Sequence, residues 1–187
     1  QSPCNQCPVC HFTLSPFTQA ESFHIQIIIP LFNDNSSLSF ELTNKKDIII
    51  YHTHTCESYT PTENYNYEQT GTYRTTDLNY TVARVGDELT NYLTNYGYNV
   101  VHDKTYHDYP AYTGSSGRSM NTITNIMKSG TNAQMIIDLH RDAVGANNNY
   151  APKVKIGEEY AAQLMFVIGT NGGGMEHPNW QRNLKFA

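Results

Sequence analysis

The sequence predicts an α/β protein whose sheet is mostly parallel and flanked by helices. Four apolar runs, at 48–51, 98–101, 135–139 and 164–168, have the length and character of strands in a buried sheet. Between the first three lie two stretches in which apolar residues return every three or four positions, the period of a helix packed by one face. Strand–helix–strand–helix–strand at this spacing is the pattern of a parallel sheet with helical crossovers. With 187 residues the chain has room for one domain with a sizeable core.

Residues 1–46 lack sustained periodicity and read as an N-terminal segment, part poorly ordered tail and part linker or edge hairpin. A strand is expected at 26–29, ended by Pro30, because proline cannot donate to a ladder. A turn follows at 33–37, then an alternating strand at 38–42 with Leu38, Phe40 and Leu42 on one face. The regular domain begins at 47. Its first strand, 48–51, leads into a polar loop over 58–76 that is longer than most connections, as functional loops often are.

The first helix is marked by Leu78, Val82, Val85, Leu89, Leu93 and Tyr96, with Thr75, Thr76 or Asp77 as its cap and Gly97 at its end. The second strand ends at His102–Asp103, and a polar loop carries Tyr106, His107, Asp108 and Tyr109. A second helix is expected over 119–128, with Met120, Ile123, Ile126 and Met127 inward and Gly130 beyond it. The third strand ends at His140, a Gly/Asn-rich loop leads to the segment 153–156, 164–168 is a final strong strand, and 180–187 read as the start of a helix that is cut off.

Composition narrows the function. A formal charge of -5 and a pI of about 5.9 leave no basic footprint for nucleic acid. The 14 tyrosines, with only 16% charged residues, suit a surface that faces a polar, uncharged polymer such as a glycan. No apolar run reaches the ~18–20 residues of a membrane span, and no signal-peptide pattern is present, so the chain reads as soluble, with any anchor lying upstream. Cys4, Cys7 and Cys10, followed by His11, have tight spacing for zinc or an iron–sulfur cluster but lack the second half of such a site. Cys56 lacks the orienting base of a thiol enzyme. Gly172–Gly174 lacks the residues of a phosphate loop or a dinucleotide fingerprint.

The chemistry gathers at strand ends. His54 and Glu57 stand in H-x-x-E spacing after the first strand, and His140 ends the third. Neighbouring parallel strands bring their ends within about 5–10 Å, so the three can converge on one ion. Two imidazoles and one carboxylate, with a fourth position for water, form a common catalytic zinc set, and the ion's polarisation of a carbonyl suits amide hydrolysis. A competing geometry pairs His52 with His54, since residues i and i+2 of a strand share a face, and completes the set with His140. Arg141 and Asp142 fit a supporting shell that orients the imidazole. His102–Asp103 and His107–Asp108 are structural or face the substrate, and His177, after three glycines, reads as a surface position. H-x-x-E alone also suggests a carboxypeptidase-like enzyme.

Tyr51-His52-Thr53-His54-Thr55-Cys56-Glu57-Ser58-Tyr59-Thr60-Pro61, the Val85-Gly86 helix, Tyr106-His107-Asp108-Tyr109 and Asp138-Leu139-His140-Arg141-Asp142 together resemble the stage II sporulation protein P family, over about residues 47–187. These are cell-wall hydrolases of endospore formers, related to zinc-dependent N-acetylmuramoyl-L-alanine amidases. The resemblance implies an amidase-like fold over 47–187, a Zn2+ cofactor, and cleavage between the lactyl group of muramic acid and the first alanine of the stem peptide, with endopeptidase activity on cross-bridges. It implies action in spore engulfment, outside the cytoplasm and anchored in the mother-cell membrane, on peptidoglycan and with sporulation proteins D and M as partners. His54 and His140 match the family's zinc histidines, and the acidic ligand is Glu57 or Asp77. His52 and Arg141 take catalytic roles, and Tyr59, His107 and Asp108 substrate-binding ones. Related amidases carry their general base on a strand after a final helix, so the chain reads as truncated at its C-terminus, without that helix and strand. Either it lacks the base and binds peptidoglycan without turnover, or Glu57 is the base and His52 the third ligand.

Overall fold

The computed structural model of the chain describes residues 23–28, 47–63, 65–131, 133–142, 152–174 and 176–187. The Cys4, Cys7, Cys10 and His11 cluster, the turn at 33–37 and the strand at 38–42 lie outside them. The described elements are β1 (Phe23–Ile28), β2 (Asp47–Tyr51), α1 (Val82–Asn95), β3 (Asn99–His102), α2 (Ser115–Lys128), β4 (Ala133–Arg141), β5 (Lys153–Ile156), β6 (Glu159–Ala162), β7 (Leu164–Val167) and α3 (Trp180–Phe186).

The main sheet runs in the order β3-β2-β4-β1-β7. Strands β3, β2 and β4 are parallel, with Ile50 opposite His102 on one side and Ile137 on the other. This is the mixed α/β architecture expected, with one difference. β1 pairs antiparallel with β4 and parallel with β7, so the sheet reverses direction at its β4–β1 seam. β1 falls within the residues read as linker or edge hairpin, yet it occupies an interior position between β4 and β7. A short apolar run does not encode its partner or its direction. Strands β5 and β6 form a separate hairpin, turned at Gly157 with φ 61°.

Alternation along β2 sets the layers. Ile48 and Ile50 face one side, where they pack with Val85, Met135, Ile137, Leu139 and Tyr59, and against Leu89 and Leu93 of α1. Ile49 and Tyr51 face the other, with Ile123, Ala133 and Ile136, and against Ile126 and Met127 of α2. Helices on opposite faces follow from the order β3-β2-β4, because the chain leaves β2 to one side and returns to its other side. The seam between β2 and β4 is thus the switch point of the parallel unit, and ligands of such sheets bind outside the carboxyl ends there.

Both helices depart from their expected starts. Leu78–Tyr80 is a 3-10 turn capped by Asp77, and α1 begins only at Val82, with the Thr81 hydroxyl accepting from the Ala83 N–H at 3.2 Å. The break arises because Thr81 bridges to Ser58 and the Val82 N–H donates to the Glu57 carbonyl at 2.9 Å. α2 begins at Ser115, four residues before its expected start at 119, after Gly114 at φ 86°. Its inward face is Ser115, Ser119 and Ile123, while Met120, expected inward, is 63% exposed. Ser119 turns inward because it bonds the Thr53 hydroxyl at 2.9 Å. β7 is half-exposed on alternate residues, as befits the sheet's edge.

Candidate metal centre

β2 ends at Tyr51, and the chain turns sharply over 52–55. The Glu57 N–H closes this turn on the His54 carbonyl at 3.1 Å, and the Thr55 hydroxyl donates to the Thr105 carbonyl at 2.6 Å. Residues 56–58 then run beside 73–75: the Ser58 N–H donates to the Tyr73 carbonyl, the Thr75 N–H to the Cys56 carbonyl, and Glu57 bridges Arg74. His54 and Glu57 are held over the end of β2 in this way. β4 runs on to Arg141 and delivers His140 beside them. One ligand atom from each of His54, Glu57 and His140 lies within 4.8 Å of the other two. Among the described residues no other group of three or more His, Cys, Asp or Glu side chains has this proximity.

The environment splits the two histidines. Burial, helped by the charge on His140 and opposed by Glu57, lowers the His54 pKa, so its ring is neutral at pH 7. Burial would lower His140 as well. The Asp138 and Glu57 carboxylates outweigh it, at 2.9 Å from Nε2 and 3.3 Å from Nδ1, and push it up to about 10. Burial would raise Asp138, but its bonds to His140 and Thr53 hold it below the usual carboxylate range.

The residues fit a divalent cation on two grounds. The donor set is that of a hydrolytic zinc ion. And His54 Nδ1 is buried with no hydrogen-bond partner, a costly state for a polar atom unless something else takes its lone pair.

The structure brings together only part of the remaining set. His52 is fully buried and turned away: Nδ1 lies 2.9 Å from the Leu139 carbonyl and Nε2 2.8 Å from His102 Nε2. Because the strand has ended, the i, i+2 pairing with His54 fails, and burial drops His52 to a pKa of about 3. His102 in turn contacts Asp87 at 3.0 Å. Arg141 reaches the site through its backbone, whose N–H donates to Glu57 Oε2 at 3.1 Å, while its guanidinium donates to the Tyr73 carbonyl.

The three residues assigned to substrate are interior. Tyr59 belongs to the core. His107 donates to the His52 carbonyl at 2.7 Å and accepts from Thr122 at 2.9 Å. Asp108 accepts from the Cys56 N–H and pairs with Arg74. Burial removes all three from a substrate surface, and the last two hold the turn that carries His54. Asp77 is exposed and committed to its cap, so it does not join the trio. Cys56 is buried, and burial with the nearby Asp108 charge pushes its thiol up to about 12. His177 packs its ring against Gly169, where an added Cβ would lie 2.6 Å from Cε1.

Three contributors escape the sequence reading. Asp138 accepts from the Thr53 N–H at 2.8 Å and hydroxyl at 2.6 Å as well as binding His140. Its signal was present, since D-x-H on a strand puts both side chains on one face. Tyr112 stacks on His54, with centroids 4.5 Å apart and planes at 12°. Arg74 lies with its guanidinium carbon 5.1 Å from the Tyr112 centroid. Neither has a sequence signal, because both sit on irregular segments far from His54 in the chain.

An α/β protein with a two-histidine, one-carboxylate cluster at the switch point of its parallel strands belongs to a broad class, and sequence comparison narrows it. Residues 19–187 match the family model of stage II sporulation protein P (SpoIIP), and the chain belongs to that family. The family's role is peptidoglycan degradation in engulfment during sporulation. No curated protein and no solved structure matches the chain. No helix among the described residues is long and apolar enough to cross a membrane.

Proposed function

We propose that the chain is a zinc-dependent N-acetylmuramoyl-L-alanine amidase with a second, endopeptidase activity on cross-links. The observation that supports this is the convergence of His54, Glu57 and His140 within 4.8 Å, in a chain of a peptidoglycan-degrading family. A zinc ion held by these residues supplies Lewis-acid polarisation of the scissile carbonyl. The protein supplies the rest. His54 offers a neutral nitrogen, Asp138 orients the His140 ring, and the Arg141 N–H fixes the Glu57 carboxylate. Hydrolysis joins a water oxygen to the carbonyl carbon, breaks the C–N bond and returns a proton to the leaving amine of L-alanine. Sporulation proteins D and M as partners, and anchoring in the mother-cell membrane, belong to the same proposal.

A second reading has an observation of its own. Of the neighbouring carboxylates among the described residues, Asp138 is committed to His140 and Thr53, and Asp108 to Arg74 and Cys56. Glu57 is then asked to be ligand and base at once. With Glu57 as ligand only, the chain binds peptidoglycan and turns over slowly, since general-base help is typically worth about 10²–10⁴-fold.

Zinc content and peptide release from purified cell wall, measured for the wild type, His54→Ala and His140→Ala, test both. The first reading expects about one zinc per chain, the stoichiometry of a single catalytic site, and stem peptides beginning in free L-alanine, both lost in the variants. Zinc without release selects the binding reading. Release that persists in the metal-free protein overturns the amidase.

A further inference from the structure

His54 uses its two ring nitrogens unequally. Nδ1 is buried without a hydrogen-bond partner, whereas Nε2 lies 3.1 Å from the Tyr112 hydroxyl. A neutral imidazole carries one N–H and one lone pair. An N–H on Nδ1 would go unmet in a buried place, so the favourable tautomer puts it on Nε2, donated to the Tyr112 oxygen. The lone pair then stands on Nδ1, the atom with no other use.

Tyr112 is 57% exposed, yet several groups fix it in place. The Arg118 guanidinium donates to the Ala111 and Thr113 carbonyls on either side of it in the chain. Its ring lies parallel to His54, and Arg74, itself paired with Asp108, sits by its face. An exposed tyrosine with this support holds a position for some purpose other than packing.

We propose that Tyr112 is a positioning residue for the metal centre: its hydroxyl takes the His54 Nε2–H, and its ring fixes the imidazole plane, so that the Nδ1 lone pair is presented to a divalent cation. This rests on the metal-centre reading. It assigns His54 the outer partner that Asp138 provides for His140, since a ligating histidine donates its other N–H to a fixed acceptor.

The test titrates Zn2+ into the metal-free wild type, Tyr112→Phe, Tyr112→Ala and His140→Ala, with the unfolding midpoint of each metal-free protein beside it. Phe keeps the stacked ring and removes the acceptor. The expected result is a zinc Kd about 10-fold or more weaker in Tyr112→Phe, with an unchanged midpoint, and a further loss in Tyr112→Ala. In the metal-free wild type, nitrogen NMR of the His54 ring is expected to show the hydrogen on Nε2, and in Tyr112→Phe a mixture of tautomers. A Kd for Tyr112→Phe within about twofold of wild type, while His140→Ala binds no zinc, overturns this inference alone, because the 10–100-fold effect of such partners would be missing. A hydrogen on Nδ1 in the wild type overturns it by itself. Equal zinc uptake by wild type and His140→Ala overturns the metal centre and this inference together.

Discussion

His140 sits between two carboxylates, Asp138 at 2.9 Å and Glu57 at 3.3 Å, and their charge outweighs its burial. Asp138→Asn keeps the shape and removes one of those charges. The His140 pKa is expected to fall from about 10 by a unit or more, read by NMR titration of the metal-free protein. Thr53 loses a charged acceptor for both its N–H and its hydroxyl, so stability should drop by about 1–3 kcal/mol in urea unfolding. An unmoved His140 would mean that Glu57 alone sustains its charge. At this scale the sequence was informative where chemistry and spacing coincide. His54, Glu57 and His140 were legible as strand-end residues, and Asp138 could have been found from its spacing to His140. His52 looked equally good, but its ring is spent on the Leu139 carbonyl and His102. Tyr112 was illegible, because nothing local ties it to a ring 58 positions away.

Gly86 lies inside α1, where helix propensity alone favours alanine by about 1 kcal/mol. Packing says the opposite. A Cβ there would stand 2.4 Å from His102 Nε2 and 3.1 Å from His52 Nε2. Both rings are pinned by hydrogen bonds, so neither can step aside cheaply. Gly86→Ala is therefore expected to destabilise by about 1–3 kcal/mol, the usual cost of overpacking, as a lower urea midpoint with an unchanged slope. A higher midpoint would show that propensity wins and that the approach of α1 to the sheet is looser than it looks. Elements with a sustained period were readable. Their ends were not, because Thr81 leaves the helix to bridge Ser58 and β4 runs past its apolar core to Arg141. Both departures serve the site, the first by fixing Glu57 and the second by extending His140.

The whole molecule's stability should follow pH through its histidines. His52 drops to about 3 in the fold, against 6.5 ordinarily, so its contribution is complete above pH 6.5 and is lost as pH falls towards 3, where only the unfolded chain takes the proton. His54 and His102, also lowered by burial, act in the same direction. His140, raised to about 10, acts oppositely: its contribution is complete below 6.5 and is lost as pH rises through 10. The metal-free chain should thus be most stable near pH 6.5, with a limiting acid slope of about 1.4 kcal/mol per pH unit for each proton involved. Urea midpoints in chelator at pH 5, 6.5 and 9 check this. A midpoint that rises from pH 6.5 to pH 5 would mean that His52 is protonated in the fold.

The sequence by itself determined strands β2, β3, β4 and β7 and the bodies of α1 and α2, that histidines stand at the ends of the parallel unit's strands, and the family to which the chain belongs. Those features are local: a period of apolar residues, a residue type at a run's end, a motif. Only the tertiary structure decided that β1 lies inside the sheet, that β2 and β4 meet at the switch point, and which histidine faces the site. Pairing direction, strand order and ring orientation depend on contacts between residues far apart in the chain. The Asp138, Tyr112 and Arg74 contacts come from that same distance, and they turn three legible residues into a site with defined geometry.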